Sequence, residues 1–342
     1  MNKLLSLIIY SIISLALSDA KSLTPEGYYG FAYNKMSDML AGRDSLSIKR
    51  AVFLAEWAYY EGNLDYQKDF CDEINRIAKF VELFYLFNNL NQYKTGKQIA
   101  LNNYFSKPYS GNGYKPYTYN YEDVDKDVIN WENQFVSKVL KTHVGQCRSL
   151  PWMYKIISQE IGADVSIALA PRHYYIMYKD EDNFTPENWI NLELTSGQMV
   201  PAFCIKDNFE ISDSAVLVGT YMMPLNDVQT VACQLYELAL GYCKKFGHYN
   251  EFTFQCASTA LLYYPTSPIA WIIQCKSLEQ MTEERLRKNG NVWDGACANM
   301  MHLMEVAADR VEKTYMTEET PQRRKKWRKK VLEAQKMMNK RE

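Results

Sequence analysis

The stretch that decides the fold is VGQCRSLPW, residues 144–152. Gly145 permits a tight backbone turn, and Ser149 and Pro151 are residue types that open helices. The apolar residues that follow recur at helical spacing, and they are Leu150, Met153, Tyr154, Ile157 and Ile161. Because Gly162 ends this run, the pattern predicts a helix whose N-terminus lies beside Cys147.

A cysteine beside a helix N-terminus has an environment that favours its thiolate. The partial positive charge of the helix end and the neighbouring Arg148 both act in that direction. Cys147 is therefore a candidate nucleophile. The alternative is a buried core cysteine, because most free cysteines in proteins are core residues.

Two later segments contain a histidine and a carboxylate that could complete a site. Residues 164–170 and 174–178 are predicted strands, separated at Pro171, so that His173 lies at the edge of the turn. Apolar and polar residues alternate over 189–195, which predicts a strand with Glu193 on its polar face. Cys147, His173 and Glu193 follow the chain order of a nucleophile, its base and an orienting acid. A hydrogen-bonded strand-end histidine and a solvated carboxylate are the alternatives.

Three stretches resemble the transglutaminase-like branch of the papain-like cysteine-enzyme superfamily. They are GQCRSLP at 145–151, APRH at 170–173 and WINLELT at 189–195. Members place the cysteine at the N-terminus of a helix packed on a β-sheet. The resemblance implies that Cys147 is the nucleophile, His173 the general base and then acid, and Glu193 the orienting carboxylate, where the family usually has Asp. It indicates the fold more specifically than the reaction, since such sites serve hydrolysis, acyl transfer or no chemistry.

An oxyanion hole would complete such a site. The backbone amide of Cys147 is one candidate donor, and the side chain of Gln134, on a predicted helix that leads into the cysteine loop, is the second. Gln134 is alternatively a surface helix residue. Zinc bound by His143, Cys147, His173 and Glu193 is the competing chemistry, although the paired spacings of structural zinc sites are absent. The favoured site needs no metal and no cofactor.

The first 20 residues predict a secretory signal peptide. They contain one early lysine, an apolar core over 4–17 that is too short to span a bilayer, and a cleavage-type sequence ending at Ala20. We therefore expect an exported protein. The chain has eight cysteines without framework spacing, which we interpret mainly as small core residues, with one or two disulfides among the last five remaining open.

Composition and periodicity predict a helix-rich α+β protein. Its expected segments are a signal peptide at 1–20, an N-terminal helical region with a Tyr-rich loop at 21–125, a transglutaminase-like domain at 126–225, a helical domain at 226–320 and a basic tail at 321–342. Predicted helices over 45–60 and 64–90 should form a hairpin. The loop over 92–125 is either an ordered binding surface near the site or a mobile connection.

The region after the site resembles a tetratricopeptide repeat, whose length is about 34 residues. Predicted helices over 230–245 and 250–263 precede Pro265, and Leu240, Gly241 and Ala260 match the small and apolar positions of the repeat. Lys244 departs from the pattern, and only one unit is recognisable. The resemblance implies that Gly241 and Ala260 meet between antiparallel helices, and that the domain recruits a protein partner.

The C-terminal residues 322–342 contain ten Lys and Arg against two Glu. A solvated cationic helix is one explanation, and contact with an anionic membrane surface or an acidic partner is the other. Export argues against nucleic acid as a partner. The predicted function is a cysteine hydrolase that acts on peptide-like or protein substrates through an acyl-enzyme. The alternative is a catalytically inactive binding or scaffold protein with the same fold.

Overall fold

The computed structural model describes residues 23–121 and 130–316, and six single positions between 322 and 336. The predicted signal peptide, 1–20, and most of the basic tail, 321–342, lie outside the described residues. The described part contains 12 α-helices and two small sheets, which confirms the predicted α+β class. None of the helices in these ranges combines the length and apolarity needed to cross a membrane.

The helices are α1 Pro25–Leu40, α2 Ile48–Tyr59, α3 Asp72–Phe87, α4 Gly96–Ser106, α5 Val136–Thr142, α6 Ser149–Glu160, α7 Ala202–Phe209, α8 Asp213–Leu217, α9 Asp227–Phe246, α10 Glu251–Tyr263, α11 Pro268–Lys288 and α12 Gly295–Lys313. The strands are β1 Thr118–Tyr119, β2 Val144–Gly145, β3 Ser166–Ala170, β4 His173–Lys179, β5 Trp189–Glu193 and β6 Gln198–Met199. Strands β1 and β2 form a parallel pair, and β3 to β6 form an antiparallel sheet in chain order.

The register of the larger sheet brings His173 and Glu193 onto one face. Ile176 pairs with Leu192, so the next position along places Tyr175 opposite Glu193. His173 lies two residues before Tyr175, and side chains two apart in a strand point to the same face. His173 and Glu193 are therefore diagonal neighbours, as the predicted strands require.

Helix α6, which follows Cys147, is the central helix of the protein. Ten of its residues are buried, and it packs against strands β3 and β4 and against helices α2, α3, α4 and α5. The Trp152 ring lies 5.7 Å from that of Tyr174 on β4. The helix predicted after Cys147 is thus confirmed, and its N-terminus is held by a continuous core.

The four C-terminal helices pack in succession, α9 on α10, α10 on α11 and α11 on α12. The predicted helices over 230–245 and 250–263 are confirmed as α9 and α10. A side chain at Gly241, however, would meet Trp131, Tyr59 and Tyr29 at 3.5–3.9 Å. Gly241 therefore faces α1, α2 and the segment before α5 at ordinary contact distances, and Ala260 is not among its nearest neighbours.

Two predictions for the N-terminal region are wrong. Helix α2 packs on α1 and α9, whereas α3 packs on α4 and α6, so the predicted hairpin between α2 and α3 is not the main packing unit. A helix, α4, also occupies Gly96–Ser106 within the predicted loop over 92–125. Its buried residues include Ala100, Leu101, Tyr104 and Phe105. Burial of this aromatic stripe favours a helix over a loop.

Candidate active site

The loop that carries Cys147 is fixed by close packing and by hydrogen bonds. A Cβ on Gly145 would approach Val139 to 2.8 Å and Ser149 to 2.9 Å, so the position requires glycine because space is lacking. The Ser149 hydroxyl accepts from the Gln146 backbone N–H at 2.9 Å and donates to the Asn133 carbonyl at 3.0 Å. The position of Cys147 is therefore set by its neighbours on both sides.

Cys147 is half-buried and faces the turn between β3 and β4. Its thiol donates to the backbone carbonyl of Arg172, with Sγ and O 3.8 Å apart. Within the described residues, the backbone N–H of Cys147 donates no hydrogen bond. Sulfur and amide therefore lie together at the N-terminal end of α6.

His173 is the first residue of β4 and is only 6% exposed. Its Nε2 contacts the Glu193 carboxylate, and the Cys147 side chain lies close enough to contribute to the raised pKa of His173. Because Glu193 occupies Nε2, Nδ1 is the ring nitrogen left for sulfur. Burial disfavours the imidazolium, but the Glu193 carboxylate and the Cys147 contact outweigh it and raise the pKa of His173 to about 10.

Glu193 is held in place by the residue two positions later. Its second carboxylate oxygen accepts from the Thr195 backbone N–H at 2.9 Å and from the Thr195 hydroxyl at 2.7 Å. Burial acts to raise the pKa of Glu193, but the charge and hydrogen bond of His173 and the bonds from Thr195 lower it overall. The carboxylate is thus ionised and oriented toward the imidazole.

The imidazole of His173 is covered by Phe209, the last residue of α7. Their ring centroids are 4.8 Å apart and the planes differ by 22°. Tyr121 lies close enough to Glu193 for the carboxylate charge to add to burial in raising the pKa of Tyr121. The Tyr-rich segment therefore reaches the site at Tyr121, while Tyr104 and Tyr117 are buried in the core.

A buried polar network lies directly behind the cysteine. The Arg148 guanidinium donates to Glu237 on α9 at 2.8 Å and lies 5.7 Å from the ring centroids of Trp131 and Tyr174. The other Glu237 oxygen accepts from the Tyr174 hydroxyl at 2.8 Å. Burial opposes the charge on Arg148, but Glu237 outweighs it and raises the pKa of Arg148. The guanidinium therefore stays charged.

Gln134 ends the short 3-10 helix Trp131–Gln134. It lines a cavity of about 30 Å³ together with Glu56, Arg148 and Glu237, and Cys147 is not in the cavity wall. Its side-chain oxygen is buried without a hydrogen-bond partner in the described part of the chain. The predicted oxyanion role of Gln134 stays a prediction.

His143 is engaged away from the cysteine. Its Nδ1 lies 2.6 Å from the Lys115 carbonyl, and its ring stacks on Tyr117 at 4.4 Å. Across residues 23–121 and 130–316, no three metal-ligand side chains are grouped to hold a metal ion. The alternative zinc site therefore lacks His143. All eight cysteines are free thiols, so the disulfides left open by the sequence do not form here.

Phe209, Thr195 and Glu237 were not recognised as site residues from the sequence. Thr195 was within the predicted strand, and its position two residues after Glu193 is the one signal that could have identified it. Phe209 and Glu237 reach the site from helices that are distant in sequence, and no local pattern marks them.

Comparison of the chain with models of known protein families, with curated proteins and with solved structures gave no match. The transglutaminase-like and tetratricopeptide-like resemblances therefore stay predictions. The chemistry of the cluster around Cys147 is the basis for assigning a function.

Proposed function

We propose that this chain is an exported, transglutaminase-like cysteine hydrolase that cleaves amide or peptide-like bonds through Cys147, His173 and Glu193. The observation that carries the proposal is the position of His173, which follows the Arg172 carbonyl that the Cys147 thiol contacts and which contacts the Glu193 carboxylate through Nε2. A nucleophile, a base and an orienting acid in contact are what thiol catalysis requires. The Glu193–Thr195 bonds support it by fixing the acid.

The reaction starts from the state in which the Cys147 thiol proton resides on His173, whose raised pKa favours the imidazolium form. The thiolate attacks the substrate carbonyl carbon, and the carbonyl electron pair moves onto oxygen. The backbone N–H of Cys147 lies at the helix end and stabilises this oxyanion, with the helix dipole acting in the same direction. Gln134 is the second proposed donor.

The intermediate then collapses as the imidazolium gives its proton to the leaving amine, which forms the acyl-enzyme and releases the first product. His173 next accepts a proton from water, whose oxygen attacks the thioester. The acid product leaves, and Cys147 regains its proton from His173. Glu193 stabilises the imidazolium through both steps and stays ionised.

The rest of the chain supplies the proposed context. The C-terminal helices, which resemble a tetratricopeptide unit, are the proposed surface for a protein partner. The basic tail at 321–342 is the proposed contact with an anionic surface, outside the described residues except at single positions. The reaction as proposed involves no cofactor and no nucleic acid.

A second candidate function is a non-catalytic binding module with the same fold. The observation that favours it is the cover over His173, which is 6% exposed and lies under the Phe209 ring. In that case the triad-like contacts would serve stability alone. Thiol reactivity separates the two functions.

The test is iodoacetamide labelling of Cys147, followed by peptide mass spectrometry across a pH series. Cys147 should react at least about tenfold faster at pH 6 than Cys204, a half-buried thiol that also lies in the first turn of a helix, α7. Cys204 thus controls for the helix end without an imidazole partner in the described residues. His173→Ala should slow the labelling of Cys147 by about a hundredfold, and Glu193→Gln by less.

Equal labelling of Cys147 and Cys204, unchanged by His173→Ala, would overturn the enzyme proposal in favour of the binding module. Turnover is tested with p-nitrophenyl acetate. A hydrolase should show an acetyl group on Cys147 that disappears with time, and Cys147→Ser should abolish it. Faster release in the presence of a primary amine would indicate acyl transfer.

A further inference from the structure

Glu237, on the C-terminal helix α9, joins the two segments that carry Cys147 and His173. One carboxylate oxygen accepts from Arg148 at 2.8 Å, and the other accepts from the Tyr174 hydroxyl at 2.8 Å. Arg148 follows Cys147 in the chain, and Tyr174 follows His173. A single side chain therefore holds the residue after the nucleophile and the residue after the base.

The contacts of Glu237 are largely shielded from water. The Arg148 and Glu237 side chains retain 19% and 11% of their exposure. The guanidinium lies between the rings of Trp131 and Tyr174, and the Tyr236 hydroxyl is 2.8 Å from that of Tyr174. Charge-assisted hydrogen bonds of this kind are short and directional when buried. The arrangement is therefore stiff and has little freedom to rearrange.

We propose that Glu237 is a positioning residue for the thiol chemistry, an inference that rests on the proposed function. Consecutive Cα atoms are about 3.8 Å apart, so fixing Arg148 and Tyr174 fixes the backbone of Cys147 and His173. The separation of sulfur and imidazole is then set from α9, in the C-terminal helices. A misplacement of about 1 Å in such a pair costs on the order of a hundredfold in rate.

The sign of the effect distinguishes positioning from simple electrostatics. Glu237 is the anionic partner of Arg148, which follows Cys147 in the chain, so removal of the Glu237 charge alone would leave more positive charge beside the sulfur and speed its alkylation. Loss of positioning acts in the opposite direction, because the sulfur loses its contact with the imidazole. The change in rate therefore reports which effect dominates.

The experiment compares iodoacetamide labelling of Cys147 in the full chain and in Glu237→Gln, from pH 5 to pH 10. Glu237→Gln should label about tenfold more slowly at pH 7, and its profile should move toward alkaline pH. The matched control is Asp227→Asn on the same helix. Asp227 pairs with Lys155 at 2.9 Å. Lys155 lies about 10 Å along α6 from Arg148, so loss of this pair should leave the profile unchanged.

Labelling of Glu237→Gln at the wild-type rate or faster would overturn the positioning role. If Glu237→Gln does not fold by circular dichroism, Tyr174→Phe decides, because it removes one of the two Glu237 contacts and keeps the ion pair. It should slow labelling about threefold, and no slowing would overturn the proposal. If His173→Ala slows labelling but Glu237→Gln does not, the inference fails while the proposed function stands. If His173→Ala has no effect, the proposed function itself fails.

Discussion

The N-termini of α5 and α6 are neighbours in the chain, but their backbone amides are used differently. At α5, Glu56 from α2 accepts from the Val136 N–H at 2.6 Å and from the Ser137 N–H at 2.9 Å. At α6, the Cys147 N–H has no acceptor among the described residues. A helix end attracts negative charge, and one of these ends has a protein carboxylate while the other has a thiol.

One helix end is thus capped by a protein carboxylate, and the other has an uncapped amide next to a thiol within the described residues. Glu56 is buried, and burial raises its pKa to about 7 although the amides of Ser137 and Val136 act in the opposite direction. The Glu56 cap of α5 therefore fixes the segment that precedes the cysteine loop. At α6, an amide without an acceptor among the described residues lies beside the sulfur.

The largest expected effect on stability comes from removing the Glu56 carboxylate that caps the N-terminus of α5. Glu56→Ala leaves two buried N–H groups without acceptors, and each costs about 1–3 kcal/mol, so the free energy of unfolding should fall by about 2–5 kcal/mol. Urea denaturation measures it. The control is Glu160→Ala, which removes a partly exposed ion pair with Lys49 and should cost less than about 1 kcal/mol. Equal losses of unfolding free energy in the two variants would show that the Glu56 cap stabilises the fold no more than a partly exposed ion pair.

The next effect concerns the close packing around Gly145, in the loop that carries Cys147. Gly145→Ala introduces a Cβ at 2.8–3.0 Å from Val139, Ser149 and Leu150, so the free energy of unfolding should fall by about 1–3 kcal/mol. Gly241→Ala is the matched control, because its Cβ would have ordinary contacts of 3.5–3.9 Å and alanine favours a helix by about 1 kcal/mol. Stabilisation by both substitutions would contradict the close approach at Gly145.

Folding stability should also depend on pH over two adjacent ranges, the lower set by Glu56 and the upper by His173. The folded-state pKa of Glu56, about 7, lies above its ordinary value of 4.5, so the folded chain binds more protons and stability should fall as pH rises between them. For His173 the same sign applies from 6.5 to about 10. Each group contributes a slope of at most about 1.4 kcal/mol per pH unit.

Denaturation of Glu56→Gln and His173→Gln at a series of pH values tests these windows. Glu56→Gln should flatten the lower window and His173→Gln the upper one. A wild-type profile that rises with pH in either window would contradict the assignment. Glu193, whose pKa is lowered, should add a loss of stability only as the pH falls below about 4.5.

The smallest expected effect concerns the access of an alkylating reagent to the Cys147 thiol. Phe209→Ala removes the ring that stacks on His173 and should speed alkylation of Cys147 by about two- to fivefold, because reagent reaches the thiol more easily. Phe203→Ala on the same helix removes an exposed ring and should have no effect. Slower alkylation of Phe209→Ala would show that the ring supports the site instead of covering it.

The parts of the fold that could be predicted from the sequence are those with a local period. Helix α6 and strands β3 to β5 follow the spacing of their apolar residues, and the chain order of Cys147, His173 and Glu193 pointed to one cluster. Helix α4 was not predicted because Asn102 and Asn103 interrupt its apolar residues and the surrounding segment is rich in Tyr, Asn, Gly and Pro. Tyr104 is buried and its hydroxyl reaches the Gly111 carbonyl at 3.4 Å, so an aromatic interpreted as binding surface belongs to the core.

Long-range partners could not be predicted by the same means. Glu56 lies 80 residues before the amide it caps, and Glu237 lies 89 residues after Arg148. Both are ordinary helix carboxylates in sequence, and only tertiary packing gives them a role. The same holds for α2, whose apolar face predicts burial but does not specify α9 in preference to α3.

The packing of α9 constrains how this chain can be divided into fragments. The helix lies against α1 and α2 as well as α10, and Lys245 near its end donates to the Tyr59 carbonyl. A recombinant fragment that stops at residue 225 would expose the faces of α1 and α2 and leave Arg148 without Glu237. A fragment that starts at 226 would expose the opposite face of α9. Expression trials and limited proteolysis should therefore keep α1, α2, α9 and α10 in one fragment, so that both faces of α9 stay covered.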